Sequence, residues 1–372
     1  MHPQQPPLRD VPESAEPLRP TASAPAEPNS RDDAGALVSD ESDTADAPGT
    51  ARPDAGISTA DAIGSPVPIV ITYSTTAEAG RPAPAVGGGL EPRPAARPVP
   101  APAPAQAVDI AVVQFGPYTD KSANLAALRD HVRAAAEHGA KVVVAPEYSM
   151  FAVKRLDERV VAAAEPITGP WASELRGLAA EFGVHVVAGV VEAPGGQITD
   201  RIYNTLIAAG PDAEFAAVYR KVHLYDAFGF RESDVVAPGP IEDPATFTVE
   251  GVTFGLQTCF DLRFPEGCRR VAAAGAQVLL LPAQWIPGPG KLDQWTTLLR
   301  ARAIENTVYV AAADHCAPRG AGASMIVDPS GNLLAELGDA PGIATSRIDL
   351  DHLRQIRTTN PSLSLRRFTV EP

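Results

Sequence analysis

From Val108 onward the chain alternates between short apolar runs and longer amphipathic stretches, and the residues before it show neither period. Residues 108–113, Val-Asp-Ile-Ala-Val-Val, read as a buried strand. Residues 120–138 place Leu125, Leu128 and Val132 on one face and read as a helix that Gly139 closes, and Lys141-Val-Val-Val-Ala145 reads as a second strand. That spacing suits a right-handed strand-helix-strand crossover. The pattern recurs as a helix at 171–182 and a strand at 184–191. Antiparallel pairs are predicted at 202–209 with 214–219, around Gly210-Pro211-Asp212, and at 246–249 with 252–257, around Glu250-Gly251. A helix at 263–274, a strand at 277–281, a helix at 291–306 and a strand at 308–313 make a second alternating half, and three short strands near 323–327, 332–336 and 342–348 follow. One α/β domain of about 250 residues, with mixed sheets and helices on the outer faces, is expected.

Composition separates this body, 107–372, from residues 1–106. The first part holds about half of the 38 prolines, seven arginines and no lysine. Such a Pro/Ala-rich, acidic segment buries too little apolar surface to offset the entropy of ordering it, so it is expected to be a disordered tail. Its longest apolar patch, Val67-Pro-Ile-Val-Ile-Thr-Tyr73, is assigned no structure, because Pro66 and Pro68 disfavour a ladder. The net charge of −14 divides about equally between tail and body, and no basic patch suggests a nucleic-acid partner. The start has neither a cationic n-region nor an apolar h-region, and no run is long enough for a membrane helix, so a soluble, cytoplasmic protein is expected. Cys259, Cys268 and Cys316 form no CxxC pair and no even framework, as in a reducing compartment.

Three predicted strands end in residues of chemical interest. Glu147 follows Val142-Val-Val-Ala-Pro146, Lys221 follows Phe215-Ala-Ala-Val-Tyr-Arg220, and Cys259 lies between the strand at 252–257 and the helix at 263–274. Each alone has a structural explanation: a paired surface acid, a solvated lysine, a small buried thiol. Together, at the carboxyl ends of different strands, they can converge in one crevice and supply acyl-transfer chemistry. A thiol needs a base to become a nucleophile, and attack on an amide carbonyl creates an oxyanion that needs donors. Glu147 suits the base, Lys221 the cation at the oxyanion, and the backbone amide of Phe260 the second donor. A position at a helix entrance would also favour the Cys259 thiolate.

These residues and their surroundings resemble the nitrilase superfamily of carbon-nitrogen hydrolases. The resemblance covers nearly all of 108–366 and rests on Val144-Ala-Pro-Glu147, Tyr219-Arg-Lys-Val-His-Leu-Tyr-Asp226, Cys259-Phe-Asp-Leu-Arg-Phe-Pro-Glu266 and Leu299-Arg-Ala-Arg-Ala-Ile-Glu-Asn306. It implies a four-layer α-β-β-α sandwich, usually paired in a homodimer, with Glu147 as general base, Lys221 at the oxyanion and Cys259 as nucleophile. It also implies a second glutamate in the loop after the lysine, which Phe228-Gly-Phe-Arg-Glu-Ser-Asp234 supplies as Glu232. The text after the cysteine is similar to the amidase branch that includes omega-amidases and deaminated glutathione amidases. Nitrilases there carry Trp-Glu, and carbamoylases Asn-Asp-Arg-Arg-Trp-Pro-Glu. The expected substrate is therefore a small amide, with nitriles and carbamoyl compounds as alternatives. A reading of a different class is an interaction protein that works through its tail.

Arg263 and Glu266 are expected to pair locally and fix the turn carrying Cys259. Trp285 is open to two readings, pocket lining or packing at a strand end. His223 reads as hydrogen-bonded scaffold, and Cys268 and Cys316 as buried bystanders. No metal-ligand spacing is present, Gly288-Pro-Gly-Lys291 lacks the P-loop frame, and no cofactor is implied.

Overall fold

The computed structural model describes residues 69–72, 106–196 and 200–370. In chain order these form β1 (Ile69–Thr72), β2 (Ala107–Gln114), α1 (Lys121–Glu137), β3 (Val142–Val144), α2 (Glu158–Ala163), α3 (Pro170–Phe182), β4 (His185–Glu192), β5 (Tyr203–Ala209) and β6 (Phe215–Arg220). They continue with β7 (Thr246–Val249), β8 (Val252–Leu256), α4 (Pro265–Ala273), β9 (Val278–Pro282), α5 (Lys291–Asn306), β10 (Tyr309–Ala313), β11 (Met325–Val327), β12 (Leu333–Glu336), β13 (Gly342–Asp349) and α6 (Leu350–Thr359). Single 3-10 turns lie at Glu232–Asp234 and Cys259–Arg263. No helix among the described residues is long and apolar enough to cross a membrane.

Among these residues the strands make two sheets, in the orders β1-β13-β2-β3-β4-β5-β6 and β12-β11-β10-β9-β8-β7. The parallel pairs β2/β3, β3/β4, β8/β9 and β9/β10 form the centres, and antiparallel strands flank them. Side chains alternate across each sheet, so every central strand feeds two cores. Ile110, Val142, Val144, Leu256, Val278 and Leu280 meet between the sheets. Val113, Val143, Val186 and Ala188 instead face Leu128, Val132 and Leu175 of α1 and α3, and Leu279, Leu281 and Val310 face Val271, Trp295 and Leu299 of α4 and α5. Three cores separate four layers, α-β-β-α, which is why the inner strands are apolar on both faces.

The expected elements are present with ends shifted by a few residues. The helix read from 263 begins at Pro265, because Cys259–Arg263 is a separate 3-10 turn. Two helices were not read: α2, which buries only Val160 and Ala163, and α6, which buries only Leu350 and Leu353. The expectation of a disordered tail over 1–106 falls outside the described residues except at Gln106 and Ile69–Thr72. The second exception is a correction: Ile69–Thr72 forms β1, paired parallel to Gly342–Thr345. Pro66 and Pro68 precede the β-branched run rather than interrupt it, so the ladder loses no donor inside the strand.

Candidate active site

Glu147 stands three residues past β3, at the carboxyl end of the first sheet. Its chain segment crosses directly over Gly189 of β4, where an added Cβ would lie 2.3 Å from Tyr148 N and 2.7 Å from Glu147 Cα. Only a glycine permits that approach. His315 Nε2 donates to the Glu147 carbonyl oxygen at 2.7 Å and secures the segment from the second sheet. Burial pushes His315 down to about 4, so it is neutral there.

Lys221 follows β6 and is fully enclosed, 2% exposed, as are Glu147 and Glu232 at 1% and 3%. Its Nζ lies 3.0 Å from Glu147 Oε1 and 2.9 Å from Glu232 Oε2. Burial alone would lower the lysine, but the two carboxylates outweigh it and hold the ammonium well above its usual value. Further donors hold both carboxylates. Asn204 Nδ2 donates to Glu147 Oε1 at 2.7 Å and to Glu232 Oε1 at 3.2 Å, Tyr148 Oη to Glu232 Oε1 at 2.9 Å, and Tyr225 N to Glu232 Oε2 at 2.6 Å. Gln284 N donates to Glu147 Oε2 at 2.7 Å.

Cys259 opens the 3-10 turn with φ of 47°, in the left-handed region that costs a non-glycine residue energy. The turn is held by Asp261, which accepts from Thr258 N, Tyr219 Oη, His223 N and His223 Nδ1. The thiol donates to the Gln284 carbonyl at 3.7 Å. Sγ is buried, and burial pushes the thiol well up, with the carboxylate of Glu147 adding to the effect and Lys221 opposing it, in line with a thiol that needs a base. A single 3-10 turn supplies too little dipole to reverse that. Asp261 N closes the turn onto Thr258 O, which leaves the amide of Phe260 among the early donors that a helical turn does not itself use.

Glu147, Lys221, Glu232 and Cys259 therefore share one site, and all four line a cavity of about 160 Å³. Asn204, Tyr148 and Gln284 were not picked out from sequence. The Arg263–Glu266 pair does not form; Arg263 turns to Gln294 Oε1, 2.7 Å away, and lies over the rings of Phe228, Phe260 and Trp285. Trp285 is buried, bonded through Nε1 to the Lys291 carbonyl and packed on Trp295, so the packing reading applies. His223 is scaffold, stacked on Phe264 and bonded to Asp261, and Cys268 and Cys316 are buried free thiols away from the cavity.

Two facing sheets between helix layers, with an acid, a lysine and a cysteine gathered at strand ends, are the architecture of nitrilase-type hydrolases. The chain belongs to the carbon-nitrogen hydrolase family, whose model matches residues 109–358, and it is a carbon-nitrogen hydrolase. It is 41% identical over 264 residues to a Mycobacterium tuberculosis protein named Hydrolase Rv0480c, covering 67% of this chain and 91% of that one. It is 35% identical over 272 residues to the Homo sapiens deaminated glutathione amidase, covering 69% and 82%. Among solved structures, the Nesterenkonia amidase whose active-site cysteine has undergone Michael addition by acrylamide superposes with a TM-score of 0.56 at 30% identity, covering 69% of this chain and all of that one.

Two outcomes follow from the supports of Glu147. Gly189→Ala should destabilise the fold by about 1–3 kcal/mol in urea unfolding, since backbone rather than a flexible side chain must move. His315 has a folded value of about 4, below its ordinary 6.5. Its contribution is therefore complete above pH 6.5 and lost as pH falls toward 4, by up to about 3 kcal/mol. His315→Gln should flatten the fall in stability between pH 7 and 4.5.

Proposed function

We propose that the chain hydrolyses a small linear amide through a cysteine thioester and releases ammonia. The observation that carries this reading is the placement of the Cys259 thiol beside a buried carboxylate that is itself held by Lys221, Asn204 and the Gln284 amide. A buried neutral thiol is a poor nucleophile until a base takes its proton, and Glu147 is the acceptor at hand.

In the proposed reaction Glu147 removes the Sγ proton as sulfur attacks the amide carbon. The developing oxyanion is met by Lys221 Nζ and the Phe260 N–H. The proton on Glu147 passes to the amide nitrogen, the C–N bond breaks, and ammonia leaves an acyl thioester on Cys259. Water then attacks that thioester while Glu147 takes one of its protons, the C–S bond breaks, and the proton returns to sulfur as the carboxylic acid departs. Glu232 keeps the ammonium in place throughout. The amidase branch is supported by the relatives named deaminated glutathione amidase and by the Nesterenkonia amidase.

Cys259→Ala should abolish ammonia release from an amide panel while leaving the circular dichroism spectrum intact; release at the native rate by that variant would rule the reading out. Lys221 separates geometry from mere charge. A guanidinium cannot occupy the position of a compact ammonium held at about 3 Å by two carboxylates. Lys221→Arg should thus fail nearly as badly as Lys221→Ala, each losing on the order of 100- to 1,000-fold in turnover. Native-like activity in both variants would remove Lys221 from the mechanism.

A further inference from the structure

The last rung between β9 and β10 is made by a side chain. Alternate residues of a parallel strand turn both N–H and C=O toward the same neighbour. Just past β9, Ala283 N donates to the Ala313 carbonyl at 2.8 Å, in register with the ladder, and Trp285 faces the same way. The backbone acceptor due next on that side, the His315 carbonyl, accepts from Gly322 N instead, at 3.2 Å. Asp314 fills the place: its Oδ1 accepts from Trp285 N at 2.7 Å, and its Oδ2 from Ala321 N at 2.9 Å. Gly320 lets the chain fold back this closely, since an added Cβ there would lie 2.4 Å from the His315 carbonyl oxygen and 2.9 Å from Asp314 Oδ1.

Gln284, between Ala283 and Trp285, therefore turns the opposite way. Its N–H meets Glu147 Oε2 at 2.7 Å, and its carbonyl meets the Cys259 thiol at 3.7 Å. The orientation of this one residue is set by the bonds its two neighbours make toward β10, and one of those bonds ends on Asp314. The carboxyl is 0% exposed, and among the described residues no cation pairs with it. Burial pushes it well above its ordinary value, the amides of Trp285, His315 and Ala321 pull the other way, and the charge of Glu147 adds to the rise. A buried acid without a counter-charge is costly, and closing a loop does not require one. The Ser324 hydroxyl does that service for Asp314 N at 2.9 Å.

We propose that Asp314 is a positioning residue for the reacting pair: by holding Trp285 N it aims the Gln284 N–H at Glu147 and the Gln284 carbonyl at the Cys259 thiol. This rests on the amidase reading, in which Glu147 is the base and Cys259 the nucleophile. Lys221 and Asn204 fix only Oε1 of Glu147, so without the Gln284 amide the carboxylate is free to swing its Oε2 about that point. Asp314 touches no reacting atom itself. His315, the next residue, supports the same glutamate from the other side through its backbone carbonyl, as successive side chains at a strand end point to opposite faces.

Alkylation of Cys259 by iodoacetamide in the full chain, followed by peptide mass spectrometry, reports on the thiol and its base without any turnover. At pH 7 Asp314→Ala and Asp314→Ser should each slow it about 10-fold or more, whereas Asp314→Asn, which keeps an acceptor for Trp285 N, should stay within about 3-fold of native. In a Glu147→Gln background, itself slow, the same substitutions should change the rate by less than about 2-fold, because the group they act through is gone. Circular dichroism checks the fold, and two variants without the acceptor guard against one that misfolds. The geometry is read separately by amide hydrogen exchange over residues 283–286, which should quicken about 10-fold or more in the Ala and Ser variants but not in Asn. The proposal is overturned if the Ala and Ser variants alkylate at the native rate, if their losses are equally large beside Glu147→Gln, if Asn fails as badly as Ala, or if exchange over 283–286 is unchanged. Native-rate alkylation in Glu147→Gln alone would sink the base assignment of the amidase reading, and Asp314 would still be judged by the exchange.

Discussion

One buried ammonium organises the strand ends. Lys221 is buried with two carboxylates against it, and breaking a buried ion cluster by removing one partner is commonly worth several kcal/mol. Its placement fixes Glu147, which comes from the end of β3, and Glu232, which comes from a loop far along the chain. In the proposed reaction the proton passes from sulfur to Glu147 beside the same ammonium, so no charge is separated over any distance. The negative charge merely shifts from one neighbour of the lysine to another.

The rest of the fold supplies rigidity to that cluster. Each sheet packs on both faces, and the two sheets deliver residues to the site from opposite sides: Glu147 and Lys221 from the first, Cys259 and Gln284 from the second. Gln284 joins the halves, since its amide donates to Glu147 and its carbonyl accepts from the Cys259 thiol. The left-handed backbone of Cys259 is a local cost borne by the Asp261 network beneath it, a common arrangement where a side chain must project into a cavity.

Much of this was legible in the sequence, for identifiable reasons. Strands apolar on both faces are unmistakable in Val142–Val144 and Val278–Pro282, and Glu147, Lys221 and Cys259 drew notice because each stands just past a predicted strand, whether buried like β3 or half-buried like β6. Asn204 and Tyr148 escaped notice because they act only through lateral hydrogen bonds to carboxylates, and Gln284 because it acts through its backbone. No sequence period marks such roles. The helix-entrance influence on the Cys259 thiol was legible, but the opposing burial, which is larger, was not, because it comes from segments distant in the chain. The Arg263–Glu266 expectation failed because spacing along one helix cannot anticipate an aromatic surface offered by Phe228, Phe260 and Trp285 from other segments.

A covalent acyl group on Cys259 is the central chemical claim, and partitioning tests it most directly. Two substrates with the same acyl group, one releasing ammonia and the other methylamine, can be turned over in the presence of hydroxylamine, and the ratio of hydroxamate to free acid measured for each. A shared thioester requires the same ratio from both, because the leaving amine has departed before hydroxylamine and water compete. A ratio that changes with the leaving amine would mean that water or hydroxylamine attacks the amide itself, and Cys259 would not be the nucleophile.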